Sequence, residues 1–220
     1  MWPYPSNKQK AKRAIVGNGI WFVDIPRTSS TSIKFILEQH FGSNYGKSYC
    51  RETGDKKKTL FPDHASARDV IATIGMSAWK SIYTFTFVRN PWERFYSSYK
   101  YRIADHDLDR GVSFTDYVHE LTTPRYRQLD SPFRNPTFHM SMCDYLMNKK
   151  DQILVNDVFR YEDRQQGLET LLKKTGVDFS CEWRECTKDS VDYRDAYNNK
   201  TIDIVRKFYA DDIHYFGYSY

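Results

Sequence analysis

A junction near the N-terminus constrains the fold more than any other feature. Ile20, Trp21, Phe22 and Val23 form an unbroken apolar run, the pattern of a short buried parallel strand. The run meets Asp24-Ile25-Pro26-Arg27-Thr28-Ser29-Ser30-Thr31-Ser32 at once. Apolar residues then recur at Ile33, Ile36, Leu37 and Phe41 with helical spacing, and Gly42 stands where a helix C′ residue belongs. A strand that turns sharply into a helix leaves several backbone N–H groups without intrahelical partners at the positive end of the helix dipole. Such an end holds a phosphate. Arg27 adds a charge-assisted contact, and the hydroxyls of Thr28, Ser29, Ser30, Thr31 and Ser32 offer further donors. One or two hydroxyl residues suffice for a helix cap, so five in succession point to anion binding. The glycines and lysine of a Walker A loop are absent.

A second junction repeats the arrangement. Residues 83–88 (Tyr-Thr-Phe-Thr-Phe-Val) have the aromatic and β-branched composition of an inner strand. Asn90 is a good N-cap, Pro91 suits the first helical position, and Glu93 is placed to close a capping box. Trp92, Phe95, Tyr96 and Tyr99 give that helix an apolar face. Arg89 lies at the C-terminal end of the strand, where open α/β sheets bind ligands. Ser97 follows two helical turns past the cap, so the two residues can clamp one phosphate. Further helices are expected from about Ser66 to Gly75, after Ser113, around Leu168, Leu171 and Leu172 up to Gly176, and over Ile202, Val205, Phe208 and Tyr209. A third strand is expected at Ile153, Leu154 and Val155, continuing towards Phe159. Alternating strands and helices with no internal repeat or linker predict an α/β fold. It comprises a polar lead-in over residues 1–19 and a single domain over 20–220, with a mostly parallel sheet flanked by helices and a P-loop-like anion site.

Composition narrows the partners. The chain has 28% charged residues with Tyr 17 and Phe 14, a globular composition with an aromatic-rich core. The net charge is +5, but 28 acidic residues are interspersed. Lys56-Lys57-Lys58 is the one basic run and reads as a solvated loop. A cleft for a small polyanion fits this balance better than a nucleic-acid face. Cys50, Cys143, Cys181 and Cys186 show no C-x-x-C spacing and read as free thiols of a reducing compartment. The pair Cys181 and Cys186 leaves a disulfide or a shared metal as the alternative. No apolar h-region opens the chain, and no window approaches the roughly 18 apolar residues of a spanning helix. A soluble, cytoplasmic protein is the expectation.

The two junctions carry a family resemblance. Ile25-Pro26-Arg27-Thr28-Ser29-Ser30-Thr31-Ser32 resembles the 5′-phosphosulfate loop (I-P-K-T-x-x-T-S) of sulfotransferases that use 3′-phosphoadenosine 5′-phosphosulfate (PAPS). Phe87-Val88-Arg89-Asn90-Pro91-Trp92-Glu93-Arg94 with Ser97 resembles their 3′-phosphate motif, F-V-R-[DN]-P-x-x-R-x-x-S. The similarity is closest to the carbohydrate group that includes the heparan sulfate 2-O-sulfotransferases and small bacterial members. It extends to Asp63-His64-Ala65-Ser66-Ala67, Arg160-Tyr161-Glu162-Asp163 and Asp212-Ile213-His214-Tyr215-Phe216-Gly217-Tyr218.

What the resemblance implies can be assigned residue by residue. Pro26, Arg27, Thr28, Ser29, Ser30, Thr31 and Ser32 take the phosphosulfate, and Arg89 and Ser97 take the 3′-phosphate, with PAP as product. The family's loop lysine, which stabilises charge on the leaving group, is Arg27 here. Arginine keeps the charge but is bulkier, planar and unable to act as an acid. His64 stands in the interval where the 2-O-type enzymes carry their base histidine, with Glu52 and Asp63 as reserve bases. No metal is required, and the acceptor is a hydroxyl, most naturally of a carbohydrate. Apart from the resemblance, the long loop 43–63 and the segment Arg125 to His139 could supply platforms for a sugar, with Tyr126, Phe133 and Arg134 as candidates. A small-molecule kinase and a non-catalytic nucleotide- or polyanion-binding module are the alternative functions.

Overall fold

The structure is a computed structural model that describes residues 5–42, 64–105, 108–123, 136–179 and 192–220. In chain order the elements are α1 (Pro5–Asn18), β1 (Ile20–Phe22), α2 (Ser30–Phe41), α3 (Ala67–Ile74), α4 (Met76–Lys80), β2 (Tyr83–Val88), α5 (Pro91–Ala104), α6 (Phe114–Glu120), α7 (Pro136–His139), α8 (Met142–Leu146), β3 (Asp157–Arg160), α9 (Arg164–Thr175), a 3-10 turn (Tyr193–Ala196), α10 (Asn199–Phe208) and α11 (Ala210–Phe216). They group into two compact units, Met1–Val88 with Asp144–Arg184, and Arg89–Cys143 with Glu185–Tyr220.

The first unit is built on a parallel sheet in the order β1-β2-β3. Trp21 is in register with Thr84, and Phe87 with Phe159. Period-2 alternation puts Ile20, Phe22, Phe85 and Phe87 in one cluster with Ile33, Ile36 and Leu37 of α2 and Leu168 and Leu171 of α9. The rings of Phe22 and Phe85 lie 5.2 Å apart, and those of Phe87 and Phe159 5.4 Å. At Gly167 a Cβ would come within 3.2 Å of the Phe159 side chain, so glycine lets α9 approach β3 closely. The α/β class with a mostly parallel sheet flanked by helices is therefore the one observed.

Two local differences from the sequence reading have clear causes. The polar segment read as a lead-in forms α1, with Pro5 at its first position and helix-favouring Lys, Gln, Ala and Arg within it. Its Ile15 is fully buried, and the helix packs on α3 and β1. The third strand is displaced. Leu154 N–H donates to Leu146 C=O, and Ile153 pairs with Met147 in an antiparallel bridge. Asn156 Oδ1 then accepts from both N–H and Oγ1 of Thr84, so the parallel ladder starts only at Asp157.

The second unit is helical and aromatic. Trp92, Phe95, Phe114, Tyr117, Val205 and Tyr209 share a buried cluster. Arg94, fully buried, donates to the carbonyls of Phe138 at 3.2 Å and Met140 at 3.0 Å, so this motif arginine is a structural tie. Asp212 accepts the amides of Met142 and Cys143, both at 2.9 Å, which gives that C-terminal landmark a capping role at the start of α8. Cys143 is a buried free thiol, and the other three cysteines lie outside the described residues.

Candidate active site

The first group of candidate residues leaves the C-terminal end of β1. Pairing continues one step beyond the strand, with Val23 N–H on Phe85 C=O at 2.9 Å and Thr86 Oγ1 on Val23 C=O at 2.8 Å. The chain then turns through residues 25–29 into α2. Two side chains lock the turn: Thr28 Oγ1 donates to Ile25 C=O at 2.8 Å, and Ser30 Oγ donates to the same oxygen at 2.9 Å. Their hydroxyl protons thus serve the loop itself, and their direct help to an anion comes through the backbone. The first helical hydrogen bond runs from Ile33 N–H to Ser29 C=O, so the amides of Ser30, Thr31 and Ser32 precede the ladder. Ser29, at the cap position, makes no side-chain cap. Pro26 and Ser32 are buried, Arg27 and Ser29 half-buried, and Thr31 exposed.

Backbone strain is concentrated here. Among the described residues four non-glycine residues have positive φ, and three of them are Arg27 (67°), Ser29 (100°) and His64 (59°). Such conformations cost on the order of 1–3 kcal/mol each and persist where the surroundings impose them. The buried Ser29 Oγ has no hydrogen-bond partner among the described residues. An enclosed hydroxyl left unsatisfied is destabilising by itself and useful to an incoming anion. Ser29→Ala should therefore raise unfolding stability by about 1 kcal/mol while weakening PAP binding. Chemical denaturation and calorimetry on the same preparations read both effects, and a loss of stability with unchanged affinity contradicts this role.

His64 sits beside this turn. Its Nδ1 lies 3.0 Å from Asp24 Oδ2 and 3.2 Å from Asp24 C=O. Asp24 is 1% exposed, and the same Oδ2 receives Lys34 Nζ at 2.6 Å. Burial by itself would raise the Asp24 carboxyl; the charges and hydrogen bonds of His64 and Lys34 outweigh it and hold the group well below the usual carboxylate range. Asp24 and Lys34 went unread as site residues in the sequence. The available signal was an acidic residue directly after a fully apolar strand, which demands a cation once buried.

The second group belongs to the second unit. Asn90 caps α5 by accepting Trp92 N–H at 3.1 Å, and Pro91 holds the first helical position, as the sequence predicts. The capping box does not form. Glu93 instead accepts from Arg89 at 2.6 Å, an i,i+4 pair that orients the guanidinium. Glu93 and the buried Ser97 lie one turn apart on one side of α5, and Arg89, just before the cap, reaches that side through its pair with Glu93.

The other described histidines are differently placed. His40 and His214 are exposed, His119 is half-buried, and His139 is buried with its Nε2 against Tyr117 Oη at 2.5 Å. Glu52, Asp63, Tyr126, Phe133 and Arg134 lie outside the described residues. Among the described residues no group of three or more His, Cys, Asp or Glu is placed to hold a metal ion, and no helix is long and apolar enough to cross a membrane.

A model of the sulfotransferase family matches residues 17–219, nearly the whole chain. The chain belongs to the sulfotransferase family. Its reaction class is therefore sulfuryl transfer, and the two junctions and His64 all fall within the matched span. No curated protein and no solved structure matches this sulfotransferase.

Proposed function

We propose that this sulfotransferase moves the sulfuryl group of PAPS to an acceptor hydroxyl, most naturally of a carbohydrate, by in-line transfer with a general base. The carrying observation is the strained turn at residues 26–29, which delivers Arg27, a Ser29 hydroxyl with no partner among the described residues and the first amides of α2 to one end of a strand. Amides in that setting suit a phosphosulfate better than a neutral ligand. When bound, PAPS supplies the sulfuryl group and a good leaving phosphate. Arg27 offsets the charge that develops on that phosphate, and Arg89 with Ser97 takes the 3′-phosphate. His64 accepts the proton of the attacking hydroxyl. The carbohydrate acceptor rests on the resemblance of the two motifs.

Calorimetric titration of PAP tests the donor half. Arg89→Ala removes a charge-assisted contact and should weaken PAP by roughly 10- to 100-fold; Ser97→Ala should cost less. Unchanged affinity in both variants defeats the assignment. Transfer of label from [35S]PAPS to a panel of heparosan, chondroitin and simple phenol acceptors tests the reaction. Binding with no transfer to any acceptor points to a non-catalytic module, and Mg²⁺-dependent ATP binding without PAP binding points to a kinase.

A further inference from the structure

The acidic residue that opens the phosphate loop is also the residue against which His64 rests. Two acceptors face His64 Nδ1, the Asp24 backbone oxygen at 3.2 Å and Asp24 Oδ2 at 3.0 Å. A backbone carbonyl can only accept, and a carboxylate held ionised by Lys34 can only accept. The proton shared between them must therefore sit on Nδ1. Neutral imidazole carries one ring proton, so this contact leaves the basic lone pair on Nε2. The His64 backbone, at φ 59°, is held in a conformation that histidine tolerates better than most residues but that still costs energy.

We infer that Asp24 is a positioning residue for the sulfuryl-transfer reaction: it fixes the Nδ1–H tautomer of His64, presents Nε2 as the base, and ties that base to the loop proposed to carry the phosphosulfate. This inference rests on the proposed role of His64 as base. In the step itself Nε2 takes the proton as the acceptor O–H bond breaks. The acceptor oxygen forms its bond to sulfur, and the bond from sulfur to the 5′-phosphate oxygen breaks with its electron pair leaving on PAP. The imidazolium so formed is compensated by the Asp24 carboxylate, which stays ionised because Lys34 occupies the same oxygen. Lys34 stands five residues into the helix that follows the loop, so strand end, loop and helix all converge on one carboxylate. The other oxygen, Oδ1, is enclosed and has no hydrogen-bond partner among the described residues, whereas Oδ2 meets both Lys34 and His64.

The test uses the full chain saturated with PAP and labelled with [15N]histidine. Long-range 1H–15N correlation spectra of the wild type should show His64 protonated at Nδ1. In Asp24→Asn the position that Lys34 also contacts keeps an acceptor oxygen but loses its charge, so the Nδ1–H form should persist without the carboxylate that offsets the imidazolium. PAP affinity should stay within about twofold, while turnover from [35S]PAPS to the best acceptor of the panel falls by about 10²-fold or more. A purely structural ion pair moves stability and leaves turnover of the folded fraction alone. A wild-type Nε2–H tautomer overturns the inference, as does an Asp24→Asn enzyme with normal turnover beside an impaired His64→Ala enzyme. Normal turnover in His64→Ala overturns the base reading instead, and the two failures are thus told apart. If Asp24→Asn does not fold, the wild-type tautomer decides.

Discussion

His64→Ala should lower turnover by about 10²- to 10⁴-fold while leaving PAP affinity nearly unchanged. That range is the usual contribution of a positioned general base, and the separation of effects follows from where His64 is held. Its imidazole contacts Asp24 through Nδ1, whereas the anion-binding features of the turn are the amides before Ile33, the Ser29 hydroxyl and Arg27. Removing the ring leaves Thr28 and Ser30 bonded to Ile25 C=O, so the turn itself should survive. It also leaves Asp24 with Lys34 as its one charged partner among the described residues, so a modest loss of stability should accompany the loss of turnover. Steady-state transfer from [35S]PAPS, read against PAP calorimetry, separates the two quantities. A parallel fall in affinity means that His64 shapes the nucleotide site rather than the chemistry. Full activity returns the role of base to a carboxylate, with Glu52 and Asp63 the first to be replaced.

The second large effect is a pH-dependent loss of stability centred on His139. Burial is the leading cause, and the positive charges of Arg102 and Arg94 add to it; together they push this histidine down to about 3 from an ordinary 6.5. Tyr117 Oη lies 2.5 Å from Nε2, and Arg102 donates to the same Tyr117 Oη at 3.3 Å, so the buried ring rests against a phenol that a guanidinium already engages. Once unfolded, the same ring binds a proton below pH 6.5. A folded value depressed below the unfolded one gives stability that is complete above pH 6.5 and drains away as pH falls towards 3. The slope is about 1.4 kcal/mol per pH unit, or about 2 kcal/mol between pH 7 and 5. Denaturant titrations across that range should show this extra slope in the wild type and its absence in His139→Gln. Equal slopes in the two proteins exclude a neutral, buried His139. The same burial removes His139 from competition for the base, since a ring closed off from solvent and committed to Tyr117 cannot meet an acceptor hydroxyl.

Elements whose cause is local were legible before any coordinates. The span Tyr83–Val88 follows from its aromatic and β-branched alternation, α2 from the spacing of Ile33, Ile36 and Leu37, and the start of α5 from Asn90 and Pro91. Glu93 shows where local rules stop. The capping box and the Arg89 ion pair compete for one carboxylate, and the charged partner wins because it offers a stronger, charge-assisted hydrogen bond. The third strand was misplaced for a different reason: Ile153, Leu154 and Val155 have strand composition, but Leu146, Met147 and the side chain of Asn156 decide which backbone groups remain for the ladder.

The N-terminal junction itself divides along the same line. The order of residues alone determined that an apolar strand runs into a hydroxyl-rich turn and then a helix, because those signals lie within a few positions of one another. Only the tertiary structure decided how the hydroxyls divide, with Thr28 and Ser30 turned onto Ile25 C=O and Ser29 Oγ left without a hydrogen-bond partner among the described residues. It also decided that Asp24, ten residues from Lys34 and forty from His64, gathers both on a single oxygen. A buried carboxylate must find its cations wherever the fold brings them, and sequence spacing carries no record of that meeting.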